Sequence, residues 1–187
     1  TLGFYTDEKS TEEASYGGLL NLSYTLNPAH QISVNGLYSR SGESVSRYQE
    51  GFWYHSFGND DSKVMLNNVL GYTERELRSL QVKGKHVLKG VSSGSTLEWS
   101  FANALTKQDE PDLRFFVSLK STDEEGRTTY STNLANVLFP SHYWRALSEG
   151  SNTGAIDFSL PVKQWGGLKV NLKMGGLFTA SDRDFTE

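Results

Sequence analysis

Two groups of aromatic side chains are the first candidates for binding a flat ligand. Aromatic rings stack on sugar-like or siderophore-like groups, so clustered rings in polar surroundings are typical of such sites. Each group falls in a long polar stretch of the chain, residues 40–63 or residues 107–152. The alternative is that the rings pack the two stretches together or lie at an interface. The candidate ligand-binding residues are Trp53, Tyr54, His55, His142, Tyr143 and Trp144.

Side chains suited to acid–base chemistry form one cluster, Asp109, Glu110 and Asp112. Three carboxylates this close are compatible with a calcium site or with an acid–base pair. A solvated segment with Arg114 nearby explains the same residues, and we favour that interpretation. The sequence contains no nucleophile elbow, phosphate-binding loop or dinucleotide-binding fingerprint. We therefore predict no catalytic residue and no enzyme activity.

Metal and cofactor chemistry has little support in the sequence. Cysteine is absent, which excludes disulfides, thiolate ligands and a cysteine nucleophile. The histidines share no spacing typical of metal ligands. We predict no metal site and no cofactor. The four histidines are His30, His55, His86 and His142.

Composition favours strands and turns. The chain has 187 residues with 18 glycines, 4 prolines and 12% aromatic residues, and its net charge of -4 argues against a nucleic-acid partner. No apolar run approaches the roughly 20 residues of a membrane helix. The N-terminus shows neither the basic nor the apolar region of a signal peptide.

Period-two alternation predicts about six strands. In residues 95–106, Leu97, Trp99 and Phe101 share one face, while Glu98 and Ser100 share the other. One face of such a strand contacts an apolar environment, and the other contacts water. The other predicted strands lie in residues 17–26, 31–39, 63–88, 154–162 and 168–178.

The connections alternate between short turns and long polar stretches. Short turns are predicted at residues 27–30, 89–94 and 163–167, and long loops at residues 40–63 and 107–152. In an antiparallel up-and-down sheet, alternate connections lie at opposite ends of the strands. Short turns at one end and long loops at the other are typical of outer-membrane barrels. Near the short turns, Tyr24, His86 and Trp165 are predicted to form an interfacial aromatic girdle.

Three stretches resemble the barrel region of TonB-dependent outer-membrane receptors. They are GYTERELRSLQVKGKH (71–86), LEWSFANALTKQDEPDLRFF (97–116) and FSLPVKQWGGLKVNLKMGGLFTASDRDF (158–185). The resemblance implies an all-β, antiparallel up-and-down sheet that is a fragment of a transmembrane β-barrel. We expect residues 1–187 to be a single β domain, a C-terminal-type barrel segment of a larger receptor without its plug domain or signal peptide.

The same resemblance implies a function in the bacterial outer membrane. The parent receptor would contact the lipid bilayer and use TonB for energy-coupled uptake of a scarce or bulky nutrient, such as an iron chelate, cobalamin or a glycan. Its ligand would be a small molecule or an oligosaccharide. About six strands fall short of the smallest bacterial barrels, at about eight, so the isolated chain should self-associate through unpaired edges. The alternative is a soluble β-sandwich that binds a ligand or carbohydrate.

Overall fold

Long antiparallel strands account for nearly all of the described structure. A computed structural model describes residues 3–53, 60, 62–90, 94–132, 140–163 and 169–187, without the side chains of residues 3, 53, 163 and 169. The strands in these residues are β1 (Gly3–Asn27), β2 (His30–Trp53), β3 (Lys63–Leu88), β4 (Ser95–Thr122), β5 (Thr128–Ser131), β6 (Ser141–Lys163) and β7 (Lys169–Thr186).

The seven described strands form one up-and-down sheet. The order is β1-β2-β3-β4-β6-β7, and the short β5 pairs with β4 alone. Every pairing is antiparallel, and the sheet is not closed into a barrel among the described residues. This confirms the predicted all-β, antiparallel, up-and-down architecture. The turn-side end of the sheet has the connections at residues 28–29, 89–94 and 164–168, and the loop-side end has those at 54–62 and 123–140.

The predicted boundaries of the long loops were wrong. Most of residues 40–63 belongs to β2, which continues to Trp53. Most of residues 107–152 belongs to β4 and β6, and β5 lies between them. Residues 40–51 are mostly polar and so lack the alternation that reveals a strand with one apolar face, while in β4 the apolar alternation resumes only at Leu113, beyond an irregularity in the register. The strands are therefore 18 to 28 residues long, apart from β5.

Ion pairs join neighbouring strands in the segments that were predicted as loops but form strands. Arg47 of β2 donates from Nε and Nη2 to the two carboxylate oxygens of Asp7 in β1, at 2.8 and 2.5 Å. Arg40 of β2 pairs with Glu74 of β3. The hydrogen bond from Arg47 is the main cause that lowers the pKa of Asp7. Cross-strand pairs of opposite charge let a polar sheet persist without an apolar face.

The turn between β1 and β2 has the compact form that its sequence predicts. Asn27 lies opposite His30, so Pro28 and Ala29 make the whole connection. The Asn27 side-chain oxygen accepts a hydrogen bond from the Ala29 N–H at 2.9 Å, and proline fixes the backbone φ angle next to it. The Ala29 carbonyl also accepts from the Val87 N–H at 2.7 Å, which attaches the turn to β3.

A β-bulge in β4 divides the sheet into two parts, which we call the turn-side half and the loop-side half. Glu74 pairs with Asp109 and Tyr72 pairs with Asp112, so β4 has one more residue than β3 at this point. β4 also has an extra residue against β6. Pro111 lies in the bulge, and because proline lacks the N–H for a ladder bond, a central strand tolerates it there.

The register defines two faces, which we call the Trp99 face and the Glu98 face after these two residues of β4. Odd-numbered side chains of β4 lie on the Trp99 face up to Asp109. Beyond the bulge, the odd-numbered Leu113, Phe115 and Val117 lie on the Glu98 face. One inserted residue therefore moves the odd-numbered side chains of β4 from the Trp99 face to the Glu98 face.

Few side chains are buried in this single layer. Among the described residues the buried hydrophobic side chains are Met65 and Val117, which expose 7% and 2% of their surface. The whole chain exposes 13272 Å². A compact monomer of 20.9 kDa exposes about 9,000 Å². The sheet therefore presents far more surface than a protein with its own core.

Candidate binding surfaces

An exposed apolar band crosses the turn-side half of the Trp99 face. The register places Leu22 opposite Val34, Val34 opposite Val82, and Val82 opposite Phe101, so the band is continuous from β1 to β4. It continues through β6 and β7, where Ile156 is 55% exposed. Its most exposed members are Leu20, Leu22, Leu26, Leu80, Phe101, Ile156, Val162, Val170, Leu172, Met174 and Phe178.

A row of amphipathic rings lies at each limit of this apolar band. At the loop-side limit, the rings of Tyr16 and Tyr38 lie 6.1 Å apart, and the Arg78 guanidinium lies 5.9 Å from the centre of the Tyr38 ring. At the turn-side limit, His30 lies beside His86. From His30 to Tyr38 along β2 the strand rises about 26 Å at roughly 3.3 Å per residue.

The turn-side row is joined by hydrogen bonds. Trp99 Nε1 donates to His86 Nε2 at 3.0 Å, and the Nδ1 atoms of His86 and His30 are also 3.0 Å apart. The prediction that His86 lies near a short turn is confirmed, since β3 ends at Leu88. Trp165, predicted for the same girdle, lies outside the described residues.

The Glu98 face is mostly polar over the same part of the sheet, with Leu19 and Leu177 as exposed exceptions. Lys85 Nζ lies 2.7 Å from Glu98 Oε1, and both side chains are half exposed. Two grooves of about 400 and 460 Å³ flank this pair, and both are also lined by Asp157. Lys83 borders one groove and Lys173 the other. Charged and polar side chains therefore oppose the apolar band across a single layer of backbone.

The predicted ligand-binding aromatic residues do not form one platform in the described part of the chain. His142, Tyr143 and Trp144 lie in β6, not in a loop. The His142 and Trp144 rings are 3.9 Å apart on the Trp99 face. Tyr143 lies on the opposite face, with its ring centre 6.1 Å from that of Phe115, because consecutive side chains of a strand alternate. The Trp53 side chain, Tyr54 and His55 lie outside the described residues.

The predicted acidic cluster coincides with the bulge of β4. Asp112 Oδ1 lies 2.5 Å from Arg114 Nε and 2.6 Å from His142 Nε2. The hydrogen bond from Arg114 is the main cause that lowers the pKa of Asp112, and His142 adds to it. In the part of the chain that is described, no three His, Asp or Glu side chains are grouped so that they could hold a metal ion.

Sequence reasoning missed the loop-side row and the bulge. The signal for the bulge was Pro111 inside an otherwise extended segment, since proline is excluded from regular central strands. Tyr16 directly precedes the predicted strand 17–26, and Tyr38 lies near the loop-side end of the predicted strand 31–39. In a barrel that crosses a membrane, a second aromatic row belongs at this level.

No protein-family model matches this chain, and no curated protein matches it significantly. The described residues contain no helix that is long and apolar enough to cross a membrane.

Proposed function

We propose that the chain is part of the barrel wall of a TonB-dependent outer-membrane receptor, which takes up a scarce or bulky nutrient such as an iron chelate, cobalamin or a glycan. The observation that carries this proposal is the exposed apolar band on the Trp99 face, opposed by the mostly polar Glu98 face. In a barrel wall, these two faces contact lipid and a wet lumen respectively.

The size of the apolar band favours lipid over water as its surroundings. Soluble monomers rarely expose a contiguous apolar patch larger than a few hundred Å². Here the band crosses β1, β2, β3, β4, β6 and β7, and Phe101 near its middle is 50% exposed. Lipid tails would cover these side chains without any second protein layer.

The height of the apolar band also fits a bilayer. The roughly 26 Å rise between the two rows becomes about 20 Å along the membrane normal for strands tilted by 35–45°. The apolar belt of outer-membrane barrels is about 25 Å tall, with aromatic girdles at both limits. Tyr16 and Tyr38 would occupy the outer limit, and His30, His86 and Trp99 the inner one.

The remaining strand length supports the same orientation. Beyond Arg78, β3 carries the charged residues Glu76, Arg75 and Glu74 on both faces. Such a segment is suited to water outside the membrane. It would place the aromatic candidates at the outer end of the strands, where a ligand arrives, so their role in ligand binding remains a prediction.

The unpaired edges support membership of a larger barrel. Among the described residues, β1 and β7 each pair on one side only. Open edges invite pairing with further strands, and barrels remove them by closure. A receptor barrel of about 22 strands has a wide lumen suited to a bulky ligand. TonB would act through other parts of such a receptor, and the isolated chain would self-associate.

Environment-sensitive labelling tests the lipid contact directly. Because the 187 residues contain no cysteine, Phe101→Cys and the matched control Ser100→Cys each provide one labelling site within them, and any cysteine elsewhere in the full-length protein is replaced by serine. Each variant of the full-length protein is labelled with a fluorophore and reconstituted in bilayers. We expect quenchers attached to lipid tails to act on the label at 101, and aqueous iodide to act on the label at 100.

Two outcomes of the labelling experiment would overturn the membrane proposal. Iodide quenching at both positions would place the Trp99 face in water. Protection of position 101 from both quenchers would place it in a protein core, as in a soluble β-sandwich that binds a ligand or carbohydrate. The described residues form one sheet, so that alternative needs a second layer that they do not provide.

Uptake is tested separately in cells that produce the full-length protein. Labelled iron chelates, cobalamin and oligosaccharides are supplied one at a time, with and without TonB. We expect one ligand class to enter only when both proteins are present. Uptake that is unchanged without TonB would contradict energy coupling. The contact of the Trp99 face with lipid is tested separately by the labelling experiment.

A further inference from the structure

The Trp99, His86 and His30 side chains form a directional chain of hydrogen bonds on the Trp99 face. The indole Nε1–H of Trp99 can only donate, so His86 Nε2, at 3.0 Å, must accept and carries no proton. In neutral His86 the proton then lies on Nδ1. His86 Nδ1–H can donate to His30 Nδ1, also at 3.0 Å, which leaves the proton of neutral His30 on Nε2.

This arrangement of protons excludes a metal ion between the two histidines in the observed geometry. A metal bound at His86 Nδ1 needs an unprotonated Nδ1, so the ring proton moves to Nε2. That proton would point at the Trp99 N–H and replace an attractive contact by a repulsive one. The hydrogen-bonded chain and a His30–His86 metal site are therefore alternatives, and the orientation of Trp99 favours the chain.

The chain of hydrogen bonds holds Trp99 in a tight position. Its indole ring lies directly against the Gly84 backbone, where even a Cβ atom would overlap the ring. The His86 and Trp99 rings are stacked, with their centres 6.5 Å apart and their planes inclined by 22°. The glycine provides the space, and the hydrogen bond to His86 fixes the ring in it.

Charges around the two imidazoles do not oppose the gain of a proton directly. On the same face, the adjoining strands contribute the uncharged Ile32 and Leu97, and Tyr24 of β1 is the titratable neighbour among the described residues. Lys85 and Glu98 lie on the opposite face and pair with each other. Whether this chain of hydrogen bonds is intact therefore depends on the protons carried by the two imidazoles themselves.

We propose that His30 and His86 form a pH-sensitive latch that holds Trp99 over Gly84 when both imidazoles are neutral and releases it on acidification. A proton on His86 Nε2 removes the acceptor of the Trp99 N–H. A proton on His30 Nδ1 sets two N–H groups against each other. Imidazole is the side chain whose charge ordinarily changes between about pH 5 and 8, and this general range sets the conditions of the test. The latch rests on the hydrogen-bond geometry and is independent of the proposed transport function.

Fluorescence of Trp99 tests the release. Spectra of the folded full-length protein are recorded from pH 8 to pH 5, and the spectra of Trp99→Phe are subtracted to isolate the Trp99 signal. We expect a sigmoidal change in the Trp99 emission as the latch opens. In His86→Gln, the amide oxygen can accept from Trp99 without titrating, so the change should be lost and the pH 8 spectrum retained.

Further variants separate a latch from a general effect of acid. His142→Gln removes a histidine remote from Trp99 and should leave the transition unchanged. His86→Phe, which lacks an acceptor, should give the low-pH Trp99 signal at every pH, with circular dichroism confirming the fold. A transition that persists in His86→Gln, or is lost in His142→Gln, would overturn the latch.

The tautomers provide an independent readout. Nitrogen-15 spectra of labelled histidine at pH 8 should show His86 with its proton on Nδ1 and His30 with its proton on Nε2. The His86 assignment is unusual, because free imidazole side chains favour the proton on Nε2. Observation of His86 with the proton on Nε2 would contradict the hydrogen bond from Trp99 and therefore the latch.

Discussion

The turn-side half of the sheet carries its large apolar side chains mainly on the Trp99 face, whereas the loop-side half carries them on both faces, with Leu70 and Phe116 about half exposed on the Trp99 face. In the turn-side half, Phe101 and Ile156 lie exposed on the Trp99 face. In the loop-side half, the two buried hydrophobic side chains of the described residues, Met65 and Val117, lie on the Glu98 face. The halves share the same strands, so the difference arises within the strands and not from separate elements.

The comparison shows that the alternation of apolar and polar side chains along a strand does not by itself determine which face of the sheet is apolar. In β4, large apolar residues occupy odd positions on both sides of the bulge, yet Phe101 and Phe115 lie on opposite faces. The extra residue near Pro111 makes the change.

Deletion of Pro111 should have the largest effect, because it removes the bulge that separates the halves. Without the extra residue, β4 either returns Val117 to the Trp99 face or loses its register with β3 and β6. Loss of the Val117 burial alone costs about 1.5–3 kcal/mol, and broken pairing adds to this. Chemical denaturation of the full-length protein should show a strongly reduced free energy of unfolding.

Pro111→Ala is the matched control for the deletion. It keeps the number of residues in β4 and therefore the change of face, and alanine can occupy a bulge position. We expect a change within about 1 kcal/mol of the parent protein. If deletion and substitution were equally mild, the bulge would not determine the faces of the two halves.

Arginine at Phe101 should destabilise the turn-side half by an amount that depends on depth. At the lipid face of a barrel, the penalty is roughly 2–4 kcal/mol at the midplane and falls toward the interfaces. Leu97 lies nearer the end of β4, so Leu97→Arg should cost clearly less. The measurement is equilibrium unfolding of the full-length protein in bilayers. Equal and severe penalties at both positions would indicate a protein core and contradict a lipid-facing band.

Alanine at Gly84 should disturb the turn-side row of rings. The added Cβ would overlap the Trp99 indole, so the ring must move, at a cost of about 1–3 kcal/mol. Gly36→Ala is the control on the same face, since its Cβ would lie 3.8 Å from Leu20 Cβ, an ordinary contact. Thermal unfolding should separate the two variants, and equal stability would contradict the tight packing of Trp99 on Gly84.

The turn-side half was largely predictable from the sequence. Residues 95–106 alternate between apolar and polar side chains, which is the pattern of a strand whose two faces differ in polarity. The turn at residues 27–30 was predictable from Pro28 and Asn27, whose local chemistry favours a tight connection. Local signals sufficed wherever the environment differs between the two faces.

The loop-side half was not predictable in the same way. Residues 40–53 carry polar side chains on both faces, so no periodicity distinguishes a strand from a loop there. Cross-strand pairs such as Arg47 with Asp7 depend on register, which local sequence does not give. For the same reason, the sequence grouped His142 to Trp144 as one aromatic site, whereas the strand divides these residues between two faces.

The smallest effect should come from Asp112, which pairs with Arg114 within β4 and contacts His142 of β6 in the loop-side half. Arg114 and His142 lower the pKa of this carboxylate in the folded protein, so its contribution to stability is present above about pH 4, the value for an unfolded chain, and is lost as the pH falls below that. Protonated Asp112 would no longer offer a carboxylate to the Arg114 guanidinium and to the His142 side chain. Hydrogen-exchange protection of the Arg114 amide, corrected for intrinsic exchange, should therefore decrease between pH 5 and pH 2.5 in the parent protein. In Asp112→Asn, which keeps an oxygen acceptor without a charge, protection should be lower at pH 5 and should change less with pH. The same pH dependence in both proteins would mean that the pairing of β4 with β6 does not depend on this carboxylate.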